Sequence, residues 1–510
     1  MTTRSALIIG GGTGGLFTGA FLAREGWAVT VVEKNAIIGG GLQMFCRGNH
    51  RFETGMHTLG GFHEGGTLQR ICAYLGIADR LRLRADDCLT EIHYGADGRT
   101  WHLPYGREAL EACLAQAFPA DAAGLHAYFD ALYALTDEVE IFRLRESPDG
   151  LRPHSPRFLQ PADEMIASFV ADGHLRDILA YMNPMYAGVA GHTPAYIHAL
   201  INALYIDGPC RFVGGSQQLA DALSAVITDA GGEVIAGDAV ARLDVEDRRI
   251  TAVITTGGRR LTADTYISAI HPEALLPLLP PGALPRAYCQ RLHDIPKTYS
   301  AFTVYVGFRP QAFPYTDHTC YHQDDYGMVW THGRRPDDDA WPRGFMYFTP
   351  PAVDQGPWAE RMIINCVMPW EEVAPWADSG LGRRPEAYRR WKARRTQQVM
   401  DRMERLHPGF AAAADMVLAS SPLTIRDYYA TPQGALFGYR KDCHDFMLSY
   451  LPVATKVKNL LLTGQNINLH GICGVPLTAI LTAEALTGRN TIIRKIRAAG
   501  GDGSSSCGMA

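Results

Sequence analysis

Three glycines and one acid near the start of the chain have the types and spacing to do chemistry. Gly10, Gly12 and Gly15 stand as G-x-G-x-x-G directly after the apolar run Ala6-Leu7-Ile8-Ile9, and Glu33 follows Gly15 by eighteen positions. The first glycine allows a tight turn, the second lets a pyrophosphate approach the backbone, and the third lets a helix pack closely on a strand. The free N–H groups and positive end of that helix then hold the phosphates. An acid at this distance accepts the hydroxyls of an adenosine ribose and repels a 2′-phosphate. The pattern predicts FAD or NAD as ligand, and excludes NADP.

The elements that must position these groups are legible around them. Ala6 to Ile9 is long enough for a buried strand and too short for a helix. Leu16 to Glu25 carries Leu16, Ala20 and Ala23 at helical spacing, Gly26 is a helix stop, and Ala28 to Val32 is a second strand ending in Glu33. The unit is strand, turn, helix, strand.

Beyond it, Glu33-Lys34-Asn35 leads to Gly39-Gly40-Gly41 and then to Arg51-Phe52-Glu53-Thr54-Gly55-Met56-His57. In these motifs the chain resembles the flavoproteins that include phytoene desaturases, carotenoid isomerases, retinol saturases and amine oxidases. The resemblance extends over most of the chain. It implies FAD as the cofactor, with Gly39 and Gly40 along its ribityl and pyrophosphate stretch. Gly41 stands where many relatives have Arg or Ser, so no side-chain contact is expected there. Val240 matches the valine whose backbone caps the adenine. Ser268-Ala269-Ile270-His271-Pro272 resembles the family's step back toward the substrate domain.

Leu460 to Leu486 resembles the closing motif, which sets a helix N-terminus against the flavin ring. Here Gln465 replaces the usual Asp or Glu after Gly464, a form similar to retinol saturases and their bacterial relatives. The FAD contacts so implied are Gly10, Gly12, Thr13, Gly14, Gly15, Glu33, Lys34, Gly39, Gly40, Gly41, Gly55, His57, Val240, Gly464, Gln465, Gly474 and Val475. Cys473 and His470 belong to no recognisable covalent-linkage motif, so the FAD is expected to be tight but non-covalent.

His470 and His57 lie in motifs that the resemblance places beside the flavin. The functional reading makes one of them the proton donor or acceptor that accompanies hydride transfer, His470 being the first choice and His57 the second. The alternative is that each bonds a backbone carbonyl and shapes its turn. No metal site is expected.

The implied fold class is α/β, a Rossmann-like FAD-binding domain interleaved with a mixed α+β substrate domain. Its FAD-binding parts are 1–65, 212–272 and 456–497. A helical, lipid-facing region at 66–211 and a sheet with one long helix at 273–455 supply the rest, before a disordered tail at 498–510. Residues 66 to 205 read mainly as helices, with single helices over Pro161–Tyr181 and Pro194–Tyr205. Met182, Met185 and Tyr186 either line a lipophilic pocket or pack in the core. Ala301–Phe308 and Met362–Met368 read as strands, Glu386–Leu406 as a helix, and Asp337-Asp338-Asp339 as a loop.

Composition narrows the function class. The chain has 510 residues, 47% hydrophobic and 20% charged, with net charge −5, so it is globular and has no basic excess for nucleic acid. Eleven cysteines without C-x-x-C argue against a disulfide framework or zinc ribbon and suit a reducing cytoplasm. The first strand begins too early for a signal peptide, and no apolar run is long enough to span a bilayer. The C-terminal Cys507-Gly508-Met509-Ala510 is discounted as a prenylation box.

Three readings follow. The leading one is an FAD enzyme that desaturates, saturates or isomerises a lipophilic polyene, collected peripherally from a membrane surface through the region 110–205. The second is a flavin amine oxidase. The third is a prenyl-lipid carrier similar to GDP-dissociation inhibitors, without catalysis. With one dinucleotide fingerprint committed to FAD, NAD(P)H is not expected to reduce the flavin, which leaves the external electron acceptor or donor open.

Overall fold

A strand of consecutive apolar residues suits a parallel sheet covered on both faces, and β1 (Ser5–Ile9) is buried from Ala6 to Ile9. It leads into helix α1 (Thr13–Arg24) and then β2 (Ala28–Glu33), which pairs with β1 in parallel, Ala6 beside Val29 and Ile8 beside Val31. Three further strands come from distant parts of the chain: β3 (Glu233–Ala236), β4 (Thr265–Ser268) and β5 (Leu460–Leu462). The spatial order is β5–β4–β1–β2–β3, and every pairing is parallel. Helix α2 (Gly471–Thr487) follows β5 and packs on α1. A hydrogen bond of 2.9 Å between the Thr18 and Thr463 hydroxyls ties α1 to the end of β5. The computed structural model describes residues 3–55, 58–148, 153–335, 340–447 and 450–499. His57 and Asp337 to Asp339 lie outside the described residues, as does the chain beyond Ala499.

A second sheet has seven strands. Its order is Ala414–Ser420, Ser300–Phe308, Arg361–Met368, Gly344–Phe348, Cys320–Gln323, Thr90–Tyr94 and Thr100–Leu103. The pairing of Cys320–Gln323 with Thr90–Tyr94 is parallel and the others are antiparallel. The helix Glu386–Leu406 covers one face, burying Tyr388, Trp391, Val399 and Met403 against Phe302, Val304 and Val306. Arg389, Arg390 and Arg394 point to solvent, while Lys392 is half-buried. A buried ion pair, Arg361 to Glu53 at 3.1 Å, ties this sheet to the small hairpin of Met44–Arg47 and His50–Glu53.

Three local expectations change. The stretch 83–103 supplies strands rather than helix, because Thr90 to Tyr94 alternates buried and half-buried side chains. That period of two pays off only when a partner 229 residues downstream supplies the adjoining strand. The single helix expected over Pro161–Tyr181 is two, Ala162–Phe169 and Gly173–Leu179. The second begins where the Asp172 carboxylate accepts from the Leu175 N–H at 3.0 Å. A final helix, Thr491–Ala499, takes in the first two residues assigned to the tail.

Candidate functional site

A cavity of about 520 Å³ runs from the C-terminal ends of β1 and β2 to the second sheet, at the strand-end crevice where doubly wound sheets hold ligands. At its first end, Gly12 is the N-cap residue of α1, whose opening turn has no side-chain cap and no acid. Three amides there await an anion. A Cβ on Gly12 would meet only the Cα of Gly40, at 3.9 Å, so the space before those amides is open. Gly10 sits at φ +104°, which favours glycine, and a Cβ on Gly15 would overlap the Gly10 carbonyl oxygen. Both glycines are therefore required by the turn itself.

Glu33 is buried, and its carboxylate is fixed from two sides. The Gly11 N–H donates to Oε2 at 2.8 Å and the Asn35 N–H to Oε1 at 2.9 Å. An ionised carboxylate keeps further lone pairs for a ligand's hydroxyls. Val240, Ala274 and Leu278 supply an apolar wall nearby. His271 closes this end, accepting the Glu273 N–H on Nδ1 at 3.2 Å. Its proton must then sit on Nε2, which is buried without a partner. Burial, aided by Lys297, lowers its pKa to about 3, so the ring is neutral.

The residues predicted from sequence divide in two. Gly10, Gly12, Thr13, Gly14, Glu33, Lys34, Gly40, Gly41, Gly55, Val240, Gly464, Gln465 and Val475 line the cavity. Gly15, Gly39 and Gly474 do not, because they serve packing. A Cβ on Gly39 would come 2.9 Å from that of Ala220, and one on Gly474 would come 2.8 Å from that of Leu469. Lys34 donates its ammonium to the Asp427 carbonyl at 2.7 Å, and Gln465 donates its amide to the Leu436 carbonyl at 3.2 Å.

His470 is the N-cap residue of α2 and lines the cavity with Phe437, ring centroids 4.7 Å apart. Burial lowers its pKa to about 4, with Lys441 adding to the effect and a hydrogen bond to the Met185 backbone opposing it. Nε2 is buried without a hydrogen-bond partner. The proton therefore lies on the nitrogen that faces Met185, and Nε2 presents a lone pair. His470 is built to accept a proton or hydrogen bond, not to donate one at neutral pH.

Sequence reasoning missed the polar groups at the far end. Gln323 Oε1, His332 Nε2 and Asn466 Oδ1 are buried, unpartnered and part of the cavity wall. Gln323 and His332 come from separate segments that no local motif marks, while Asn466 stands in the closing motif beside Gln465 and was not singled out there. Thr303 and Asn365, hydrogen-bonded to each other at 2.8 Å, lie on the same wall among Ala301, Tyr321, Phe345 and Val367. Of the three apolar candidates, Met185 lines the cavity. Met182 is core, and so is Tyr186, whose hydroxyl bonds His198 at 2.9 Å. Among the described residues, Glu33 is the one carboxylate on the cavity wall and Lys34 the one ammonium.

An open anion cradle, a fixed acid at the ribose position and a row of unpartnered buried polar atoms fit a long ligand such as FAD. Comparison with known proteins agrees. Residues 13–487 match the family of flavin containing amine oxidoreductases. The chain is 25% identical to human all-trans-retinol 13,14-reductase, over 95% of this chain and 85% of that protein. It is also 25% identical to hydroxyneurosporene desaturase of Cereibacter sphaeroides, over 93% of this chain and 95% of the relative. Among solved structures, putrescine oxidase bound to putrescine shares the fold with a TM-score of 0.63 at 14% identity, over 96% of this chain and all of the other.

Proposed function

Because the chain belongs to the flavin containing amine oxidoreductase family, we infer that it is an FAD-dependent oxidoreductase acting on C–C or C=C bonds of a lipophilic polyene. The observation that carries this reading is the far half of the cavity. Ile201, Leu204, Tyr321, Phe345 and Met346 supply its apolar wall, the polar groups beside them (Gln323, His332, Asn466) are neutral, and no ionised side chain lines it among the described residues. A conjugated hydrocarbon chain matches such a wall, whereas an alkylammonium ion would be desolvated there without a carboxylate to pair it. The retinol reductase and the carotenoid desaturase named above act on substrates of that kind by their names.

FAD, when bound, supplies two-electron chemistry. The amides of the first α1 turn and Glu33 hold its phosphate and ribose groups, and the apolar wall keeps water from the reacting carbons. His470 Nε2 takes up a proton where the reaction releases one. Peripheral collection of substrate from a membrane fits a chain in which no helix, among the described residues, is long and apolar enough to cross a bilayer. The electron partner is a molecule other than NAD(P)H, since the described residues form one dinucleotide cradle and FAD takes it.

The test is anaerobic flavin absorbance of the purified holoprotein mixed with carotenoids, retinol and amines, each before and after chemical reduction of the flavin. Saturable colour change with polyenes alone supports the proposal. Bleaching by amines alone would replace it with amine oxidation, and a colourless protein that binds lipid would replace it with a carrier. Flotation with liposomes reports the membrane contact separately.

A further inference from the structure

On the face of the second sheet away from the cavity, Glu91 and Cys320 stand side by side, paired in register across the parallel ladder. Their strand neighbour Tyr321 lines the cavity and Cys320 does not, as side-chain alternation requires. His318, two residues before Cys320, reaches over the same spot. An imidazole nitrogen of His318, a carboxylate oxygen of Glu91 and Sγ of Cys320 all lie within 4.8 Å of one another.

The His318 ring is oriented for a ligand. Its Nδ1 lies 2.8 Å from Oδ1 of Asp87, and an ionised carboxylate can only accept, so in the neutral ring Nδ1 carries the proton. Nε2 is then the atom that offers its lone pair to a metal, which displaces any proton held there. That atom is buried, has no hydrogen-bond partner, and stands 3.6 Å from Oε2 of Glu91. The separation is too long for a hydrogen bond, but two ligands held about 2.0–2.2 Å from a tetrahedral ion are separated by about 3.4 Å. A carboxylate that orients a metal-binding histidine through its second nitrogen is the usual support of such a site.

We propose that Glu91, His318 and Cys320 form a zinc site, with Asp87 as the positioning residue and water in the fourth position. Imidazole, thiolate and carboxylate together suit zinc among the divalent ions. Binding replaces the thiol proton of Cys320 by the S–Zn bond and releases that proton to solvent. The ion staples the hairpin of Thr90–Tyr94 and Thr100–Leu103 to the strand Cys320–Gln323, elements joined by no nearer covalent link. The expectation from sequence that no metal binds rested on the lack of C-x-x-C spacing, and these ligands are brought together by tertiary pairing.

A competing group, Asp87, Cys88 and His318, occupies the other edge of the same ring, and the experiment separates the two. The full-length holoprotein, stripped with chelator, is titrated with zinc chloride and its bound metal is counted after gel filtration. Cobalt chloride is used in parallel for its thiolate charge-transfer band. The proposal expects one zinc per chain, a cobalt–thiolate band, and loss of both in Cys320→Ser and Glu91→Gln while flavin content stays normal. Cys88→Ser should keep both, and Asp87→Asn should weaken zinc binding by about 10–100-fold. Absence of retained zinc in the wild type, or a cobalt band that survives Cys320→Ser and disappears in Cys88→Ser, would overturn it.

Discussion

Gly14 and Gly464 face each other across the cavity edge so closely that a Cβ on Gly14 would stand 2.9 Å from the Cα of Gly464. The contact brings the first turn of α1 against the loop after β5, and so joins the two ends of the chain at the cofactor position. Gly464 cannot retreat easily, since its neighbour Thr463 donates its N–H to the Ser268 carbonyl at 2.9 Å. Ala in place of Gly within a helix contributes about 1 kcal/mol, but overpacking against backbone costs about 1–3 kcal/mol. Gly14→Ala is therefore expected to lower both thermal stability and flavin content. Urea melts of the apo and holo forms measure it, and an unchanged midpoint would contradict the close approach.

Gly12 makes the opposite case two residues earlier. Its φ of −77° suits any residue, and the Cβ would enter open space. Gly12→Val should fold with the apoprotein's stability nearly unchanged, within about 0.5 kcal/mol, and yet lose its yellow colour, because the side chain fills the pyrophosphate position. A variant that folds and retains full flavin absorbance would show that phosphate binds elsewhere.

The contrast shows what sequence could tell. Gly10 to Glu33 was legible because the constraints that shape its turn, Gly15 against the Gly10 carbonyl and the Gly11 N–H on Glu33, are set within one strand–turn–helix–strand unit, where spacing fixes geometry. Gly474 read as a ligand contact because it stands in a motif, yet its small size is required by Leu469. Gln323 and His332 carried no signal, since each is ordinary in its own segment and meaningful only when distant parts of the chain converge, here on Asn466 of the closing motif. The strand Thr90–Tyr94 was overlooked for the same reason, its partner being remote.

Three of the buried neutral histidines, His332 being a fourth, make the fold sensitive to acid. His198 is sealed between the Tyr128 and Tyr186 hydroxyls, at 2.7 and 2.9 Å, and burial lowers its pKa to about 3. His271 is lowered to about 3 and His470 to about 4, each mainly by burial. All three bind a proton more weakly in the folded state than in the unfolded chain, where the value is about 6.5. Stability from these groups is thus complete above about pH 6.5 and is lost progressively as pH falls to about 4 for His470 and about 3 for His198 and His271. Urea midpoints at pH 7, 6 and 5 should fall progressively, and His198→Gln should flatten the slope by about one proton. A midpoint constant from pH 7 to 5 would show that these rings are solvated.

The last prediction concerns His470 in turnover. Its Nε2 has no partner, the opposite nitrogen is held by the Met185 backbone, and its pKa is about 4. It therefore acts as a base in its neutral form, which is fully populated from about pH 5.5 upward and lost as pH falls through about 4. His470→Ala should keep near-normal flavin content, because the ring is not part of the phosphate or ribose cradle. Turnover on the accepted polyene should fall by about a hundredfold, the lower bound for a positioned general base. Wild-type kcat should be flat between pH 6 and 8 with respect to this group. A kinetic pKa near 6.5 that vanishes in the variant would mean that cofactor and substrate rehydrate or recharge the site. Unchanged turnover in His470→Ala would leave the ring a wall residue held by the Met185 backbone and shift the proton to water or to another unpartnered base on the wall, with His332 the next to replace.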